Sequence, residues 1–85
     1  METRYFKTLL KVIETGSFSR AAEALYITQS AASQRIKMLE ENLGHQLLDR
    51  SGSELVPTEI GQFVALKAGE IVEKELEMMN ALKNI

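Results

Sequence analysis

The chain has 85 residues, 45% of them hydrophobic, with one histidine and no cysteine, enough for one small domain that buries roughly 60% of the surface its unfolded chain exposes. Lack of cysteine excludes disulfides and thiolate metal sites, and no apolar run reaches the roughly 20 residues of a membrane span or forms the apolar core of a signal peptide. A soluble, cytoplasmic protein is expected. Net charge is −2, which at first sight disfavours a nucleic-acid partner. Residues 1–57, however, carry seven Lys or Arg against seven Asp or Glu, and residues 58–85 three against five. The acidity belongs to the C-terminal segment, so the rest remains free to present a local basic face.

Residues 3–15 are predicted to form a first helix, because Phe6, Leu9, Leu10 and Ile13 fall at i, i+3, i+4 and i+7 with Val12 beside them. Arg4, Lys7, Lys11 and Glu14 take its wet side. Gly16 is suited to end it in a left-handed conformation, and Ser17 or Ser19 to cap the next helix. Phe18 lies between those serines, where its ring can plug the junction. The second helix, about 19–25, carries Ala21, Ala22 and Ala24. Small side chains allow the close crossing of a helix-turn-helix, although alanine is also simply the best helix former. Only Tyr26 and Ile27 separate Leu25 from Thr28, so the next helix must turn sharply.

Thr28 is a good N-cap and Gly44 a good terminator for the third helix. Its apolar residues Ala32, Ile36, Leu39 and Leu43 recur at helical spacing. Gln29, Ser30, Ser33, Gln34 and Lys37 line the opposite side with amides, hydroxyls and one ammonium, where ordinary solvent faces carry Glu and Lys. In DNA-binding helix-turn-helix proteins, the N-terminal part of this second helix of the motif touches base edges. Two short β-tolerant segments follow, 46–50 and 54–56, separated by Ser51-Gly52-Ser53, which reads as a three-residue hairpin loop, with Pro57 ending the second strand.

Thr58 caps a final helix, with Glu59 well placed at its N-terminus. It is predicted to run to about Asn84, roughly 27 residues or about 40 Å, longer than a domain of this size can cover. Ile60, Val64, Ala68, Ile71, Val72, Leu76, Met79 and Leu82 form a stripe along it. Pairing with the same helix of a second copy, as an isologous dimer, is expected to bury that stripe; the other option is folding back onto the chain's own core. Glu70 to Glu77 with Lys67 and Lys74 reads as a solvated helix face. His45 follows a helix C-terminus without a catalytic or metal-binding companion, so no enzyme activity, metal or cofactor is expected.

Five pieces occur in order: Glu14-x-Gly16-Ser17-Phe18-Ser19-x-Ala21-Ala22, Thr28-Gln29-Ser30-Ala31-x-Ser33, Ile36-x-x-Leu39-Glu40-x-x-Leu43-Gly44, Leu47-Leu48-x-Arg50 and Thr58-x-x-Gly61. With them the chain resembles, over its whole length, the N-terminal winged helix-turn-helix and linker helix of LysR-type bacterial transcriptional regulators. The resemblance implies a mainly helical fold with a DNA-binding unit at 1–57, made of three helices and a hairpin wing, and a linker and dimerisation helix at 58–85. It also implies a homodimer on double-stranded DNA, with the third helix in the major groove and the wing near the flanking minor groove. Gln29, Ser30, Ser33 and Gln34 match positions facing bases or adjacent phosphates. A Gln amide can bond adenine at N6 and N7, and serine suits either base type or a phosphate. Thr28, Arg20, Arg35, Lys37 and Arg50 are the phosphate candidates; Arg35 and Lys37 also read as helix solubilisers. The wing tip carries Ser53 and Glu54 where the family is often basic, which places most affinity in the recognition helix and dimer geometry. The family continues into a ligand-binding domain of about two hundred residues, in line with two ordinary domain lengths, and that effector-binding domain is absent from this chain. The competing expectation is a winged-helix interaction and dimerisation module without DNA binding, for which the acidic balance and weak wing speak.

Overall fold

In a computed structural model, residues 2–85 are described. They form α1 (Thr3–Thr15), α2 (Phe18–Leu25), α3 (Gln29–Leu43), β1 (Leu48–Asp49), β2 (Val56–Pro57) and α4 (Glu59–Leu82). Local chemistry accounts for most boundaries. Gly16 ends α1 at φ +69° with its N–H donating to the Val12 carbonyl. Ser17 is the cap of α2, its Oγ accepting the Arg20 N–H at 3.2 Å, so the helix starts at Phe18, one residue ahead of the predicted start. Thr28 Oγ1 accepts the Ala31 N–H at 3.0 Å to open α3. Between α2 and α3, Tyr26 takes φ +58°, a left-handed conformation that bulky residues rarely adopt. That residue turns the chain directly into Thr28, while the Ile27 N–H donates to the Ala22 carbonyl at 3.0 Å.

The three helices close on a core in which Leu9, Val12, Ala21, Ala32, Leu39 and Leu47 are fully buried. Each large aliphatic side chain there contributes roughly 1.5–3 kcal/mol of transfer free energy. Ala21 and Ala22 lie buried at the α2 crossing, as small side chains should, whereas Ala24 faces solvent. Phe18 is 8% exposed and plugs the α1–α2 junction.

The wing differs from the predicted hairpin. β1 and β2 are short, pairing Leu48 with Pro57 and Asp49 with Val56, and residues 50–55 connect them instead of a three-residue loop. Asp49 Oδ1 accepts both the backbone N–H and the hydroxyl of Ser51, at 2.8 and 2.6 Å. This turn bends the chain away immediately after β1. Pro57 lies within the last pair of the ladder, at a strand end, where its missing N–H is tolerated.

Helix α4 stops at Leu82 after 24 residues, about 36 Å at 1.5 Å per residue. It packs chiefly on α1, and every residue from Leu76 onward is exposed. The predicted single stripe therefore divides. Ala68 is fully buried in this chain's own core, with Val64 and Val72 packed against it, so Ala68 has no surface left for a second copy. Ile60, Ile71, Leu76, Met79 and Leu82 remain at least 40% exposed. The sequence pattern could not make that division, because α1 and the core cover only Val64, Ala68 and Val72 of the stripe.

Candidate nucleic-acid interface

Successive α-helical residues advance about 100° around the axis. With Ala32, Ile36 and Leu39 buried, Ser30, Gln34 and Lys37 project on the far side of α3, all exposed. Gln29 and Ser33 lie on the flank of α3 shared with Glu40, which faces the wing. Thr28 stands exposed at the head of the helix, its oxygen engaged as cap while its hydroxyl hydrogen can still be donated. The predicted base-reading group, Gln29 to Gln34, thus occupies about the first two turns of α3 as a ridge of donors and acceptors, with no carboxylate before Glu40.

The candidate phosphate contacts separate. Arg20, Lys37 and Arg50 are exposed. Arg35 projects from the opposite flank of α3 and donates from Nη1 to Thr8 Oγ1 of α1 at 3.3 Å. Thr8 is fully buried and itself donates to the Arg4 carbonyl at 2.8 Å. Arg35 is thereby directed towards α1, away from the ridge, where its guanidinium donates to the buried Thr8 hydroxyl. Arg50 sits at the wing base, its guanidinium carbon 4.3 Å from the centroid of the Phe18 ring. Gln29, Phe18, Arg50 and the wing residues Ser53 and Glu54 line one open groove.

Glu40 was given no role by its position in the sequence. Its Oε2 accepts the Leu47 N–H at 2.8 Å and the Leu48 N–H at 3.4 Å, tying the recognition helix to β1. A carboxylate in the last turn of a helix opposes the helix dipole, and that conflict is a sequence-level sign of a tertiary task. The wing is joined to α4 in the same region. Thr58 donates its N–H to the Leu47 carbonyl at 2.9 Å and its hydroxyl to the Gln46 carbonyl at 2.8 Å. A Cβ on Gly61 would collide with that Leu47 carbonyl oxygen and stand 2.8 Å from its carbon. This contact, with the Thr58 hydrogen bonds, makes Thr58 and Gly61 act as one unit. The Ser51 hydroxyl and backbone N–H hold the Asp49 carboxyl below the ordinary carboxylate range. Among the described residues, no group of three or more His, Cys, Asp or Glu is placed to hold a metal ion, and no helix is long and apolar enough to cross a membrane.

Phe63 and Leu66, 62% and 64% exposed, were not part of the predicted stripe; nor was Met78, 56% exposed. Phe63 and Leu66 lie on the side of α4 away from Gly61 and Ala68, so spacing that tracks the core-facing stripe passes over them.

A short helix crossing a second helix with an exposed hydrogen-bonding ridge, flanked by a hairpin tied to both neighbours, defines a winged helix-turn-helix protein. The chain belongs to the lysR family of bacterial regulatory helix-turn-helix proteins, whose description matches residues 3–62. It is 39% identical over 85 residues to the HTH-type transcriptional regulator MetR of Haemophilus influenzae, covering all of this chain and 28% of that protein. It is 48% identical over 62 residues to the HTH-type transcriptional regulator HdfR of Salmonella newport, covering 73% of this chain and 22% of the relative. Among solved structures, the BenM_DBD/catB site 1 DNA complex superposes with a TM-score of 0.95 at 35% identity, covering 100% of this chain and 94% of that one. Vibrio fischeri DarR in complex with DNA superposes with a TM-score of 0.94 at 27% identity, covering 99% of this chain and 29% of that one. The chain therefore spans less than a third of the length of MetR, HdfR and DarR.

Proposed function

We propose that the chain binds double-stranded DNA sequence-specifically, as the DNA-binding part of a LysR-type transcriptional regulator in the bacterial cytoplasm. The first turns of α3 enter the major groove, where Gln29, Ser30, Ser33 and Gln34 meet base edges. Arg20, Lys37, Arg50 and Thr28 meet the backbone. Two copies join through the exposed apolar residues of α4, chiefly Leu76, Met79 and Leu82 with Ile71. The observation that carries this reading is the exposed ridge of α3, polar, unburied and rich in groups that both donate and accept. Its support from outside the chain is the close likeness to the BenM_DBD and DarR structures, both described as complexes with DNA.

The test is a fluorescence-anisotropy titration with a duplex selected from a random pool. Arg20, Lys37 and Arg50 in each of two copies make about six phosphate contacts, for which affinity falls about a thousandfold between 50 and 200 mM salt. A flat salt response, or no preference for the selected duplex over a scrambled one, would sink the reading. Such a result favours the interaction module, whose working surface is the exposed apolar side of α4.

A further inference from the structure

We propose that Phe18 is a positioning residue for DNA binding, holding the Arg50 guanidinium ready for a backbone phosphate beside the base read by Gln29. The proposal rests on the DNA-binding reading above. Phe18 has two parts to play, and the core uses only one of them. Most of its ring fills the α1–α2 junction, leaving it 8% exposed. Arg50, an exposed residue, stacks on that ring with its guanidinium carbon 4.3 Å from the ring centroid.

The neighbouring charges leave Arg50 available. None of the ion pairs among the described residues includes it. Asp49, the adjacent carboxylate, is held by the backbone and hydroxyl of Ser51. Glu54 lines the same groove without pairing with Arg50. A cation on the face of a ring is attracted by the ring quadrupole, yet keeps its N–H donors at the edge of the guanidinium plane. Such an arginine has already given up part of its rotamer freedom, so less is lost when a phosphate arrives.

The groove says which ligand comes. It is open, about 370 Å³, and Gln29 lines it together with Phe18 and Arg50. Gln29 occupies the first position of the recognition helix, so a duplex whose base edge meets Gln29 brings its own sugar-phosphate strand past the groove. Phosphate contacts of this kind set register and orientation and carry no base information. Phe18 would thus act on affinity and on the placement of Gln29 through Arg50, without touching DNA.

The test is a double-mutant cycle read by anisotropy on a labelled random-sequence duplex at several salt concentrations, with thermal melting recorded for every variant. Arg50→Gln is expected to make the salt dependence shallower by about one phosphate contact per copy. Phe18→Leu is expected to weaken binding about two- to fivefold in the parent chain and to have no further effect in the Arg50→Gln background. Phe18→Tyr, which keeps the ring, restores parental affinity. A loss with Phe18→Leu that is the same in both backgrounds assigns Phe18 to the core alone and overturns the proposal. So does an unchanged salt dependence in Arg50→Gln. Should Phe18→Leu fail to fold, Arg50→Lys decides: an ammonium that stacks poorly keeps the salt dependence but loses affinity, and affinity equal to the parent's overturns the proposal. A parent chain that does not bind the duplex at any salt overturns the DNA-binding reading and this proposal with it; a binding parent with an inert Arg50 overturns this proposal alone.

Discussion

Replacing Gly61 by alanine pits two effects of opposite sign against each other. In the interior of a helix, alanine is better than glycine by about 1 kcal/mol. At Gly61 the new Cβ would collide with the Leu47 carbonyl oxygen, 2.8 Å from the carbonyl carbon and 3.2 Å from Leu47 Cα. All three are backbone atoms of a fully buried residue, so no rotamer change relieves the overlap. Either α4 moves away from the wing or the strand moves, and overpacking of this kind costs about 1–3 kcal/mol. The displacement also stretches the two hydrogen bonds from Thr58 to the Leu47 and Gln46 carbonyls, each worth about 1 kcal/mol net. Collision and lost bonds together outweigh the propensity gain by about 2–4 kcal/mol. For a domain of this length that lowers the melting temperature by roughly 10–30 °C. Circular dichroism at the helix band during heating measures it. Gly69→Ala is the control: it lies in the same helix with nothing within 4 Å of the added Cβ, and should stabilise the fold by about 0.5–1 kcal/mol. If Gly61→Ala melts at or above the parent temperature, the close approach of α4 to the wing is wrong.

Gln29→Ala should lose about 1–3 kcal/mol on the best duplex and relax base preference at one position per half-site, as site selection would record; uniform weakening on all sequences would assign Gln29 to the backbone instead. Leu76→Asp, at a residue 59% exposed, should leave the fold intact and yield a monomer in sedimentation, and an unchanged mass would remove α4 as the dimer contact. Glu40→Ala leaves the Leu47 and Leu48 N–H groups without their carboxylate partner, so stability should fall by about 1–3 kcal/mol in a denaturant titration. In that variant, hydrogen exchange should rise first in the wing; exchange confined to α3 would refute the tie that Glu40 makes between α3 and β1.

Much of the fold was legible because its signals are local. Helical spacing placed α1 and α3, and Gly16, Thr28 and Gly44 marked their ends or starts, as Thr58 marked the start of α4, through chemistry contained within a turn of backbone. The outer ridge of α3 was legible for the same reason, since burial of Ala32, Ile36 and Leu39 leaves only one direction for Ser30, Gln34 and Lys37. The wing was read less well. Its loop length depends on the Asp49–Ser51 turn, and serine and aspartate occur in so many turn types that their identity alone does not choose one.

The sequence by itself determined the order of the elements, their capping and the polar character of the recognition helix, because each depends on residues within a few positions of one another. Only the tertiary structure decided which group each arginine meets. Arg35 is claimed by a buried hydroxyl on α1, and Arg50 by an aromatic ring across the motif; both contacts span stretches of chain that no periodicity relates. It also decided that Ala68 belongs to the core while Leu76 and Met79 do not. All three sit on one apolar stripe, and what separates them is where α1 ends in space.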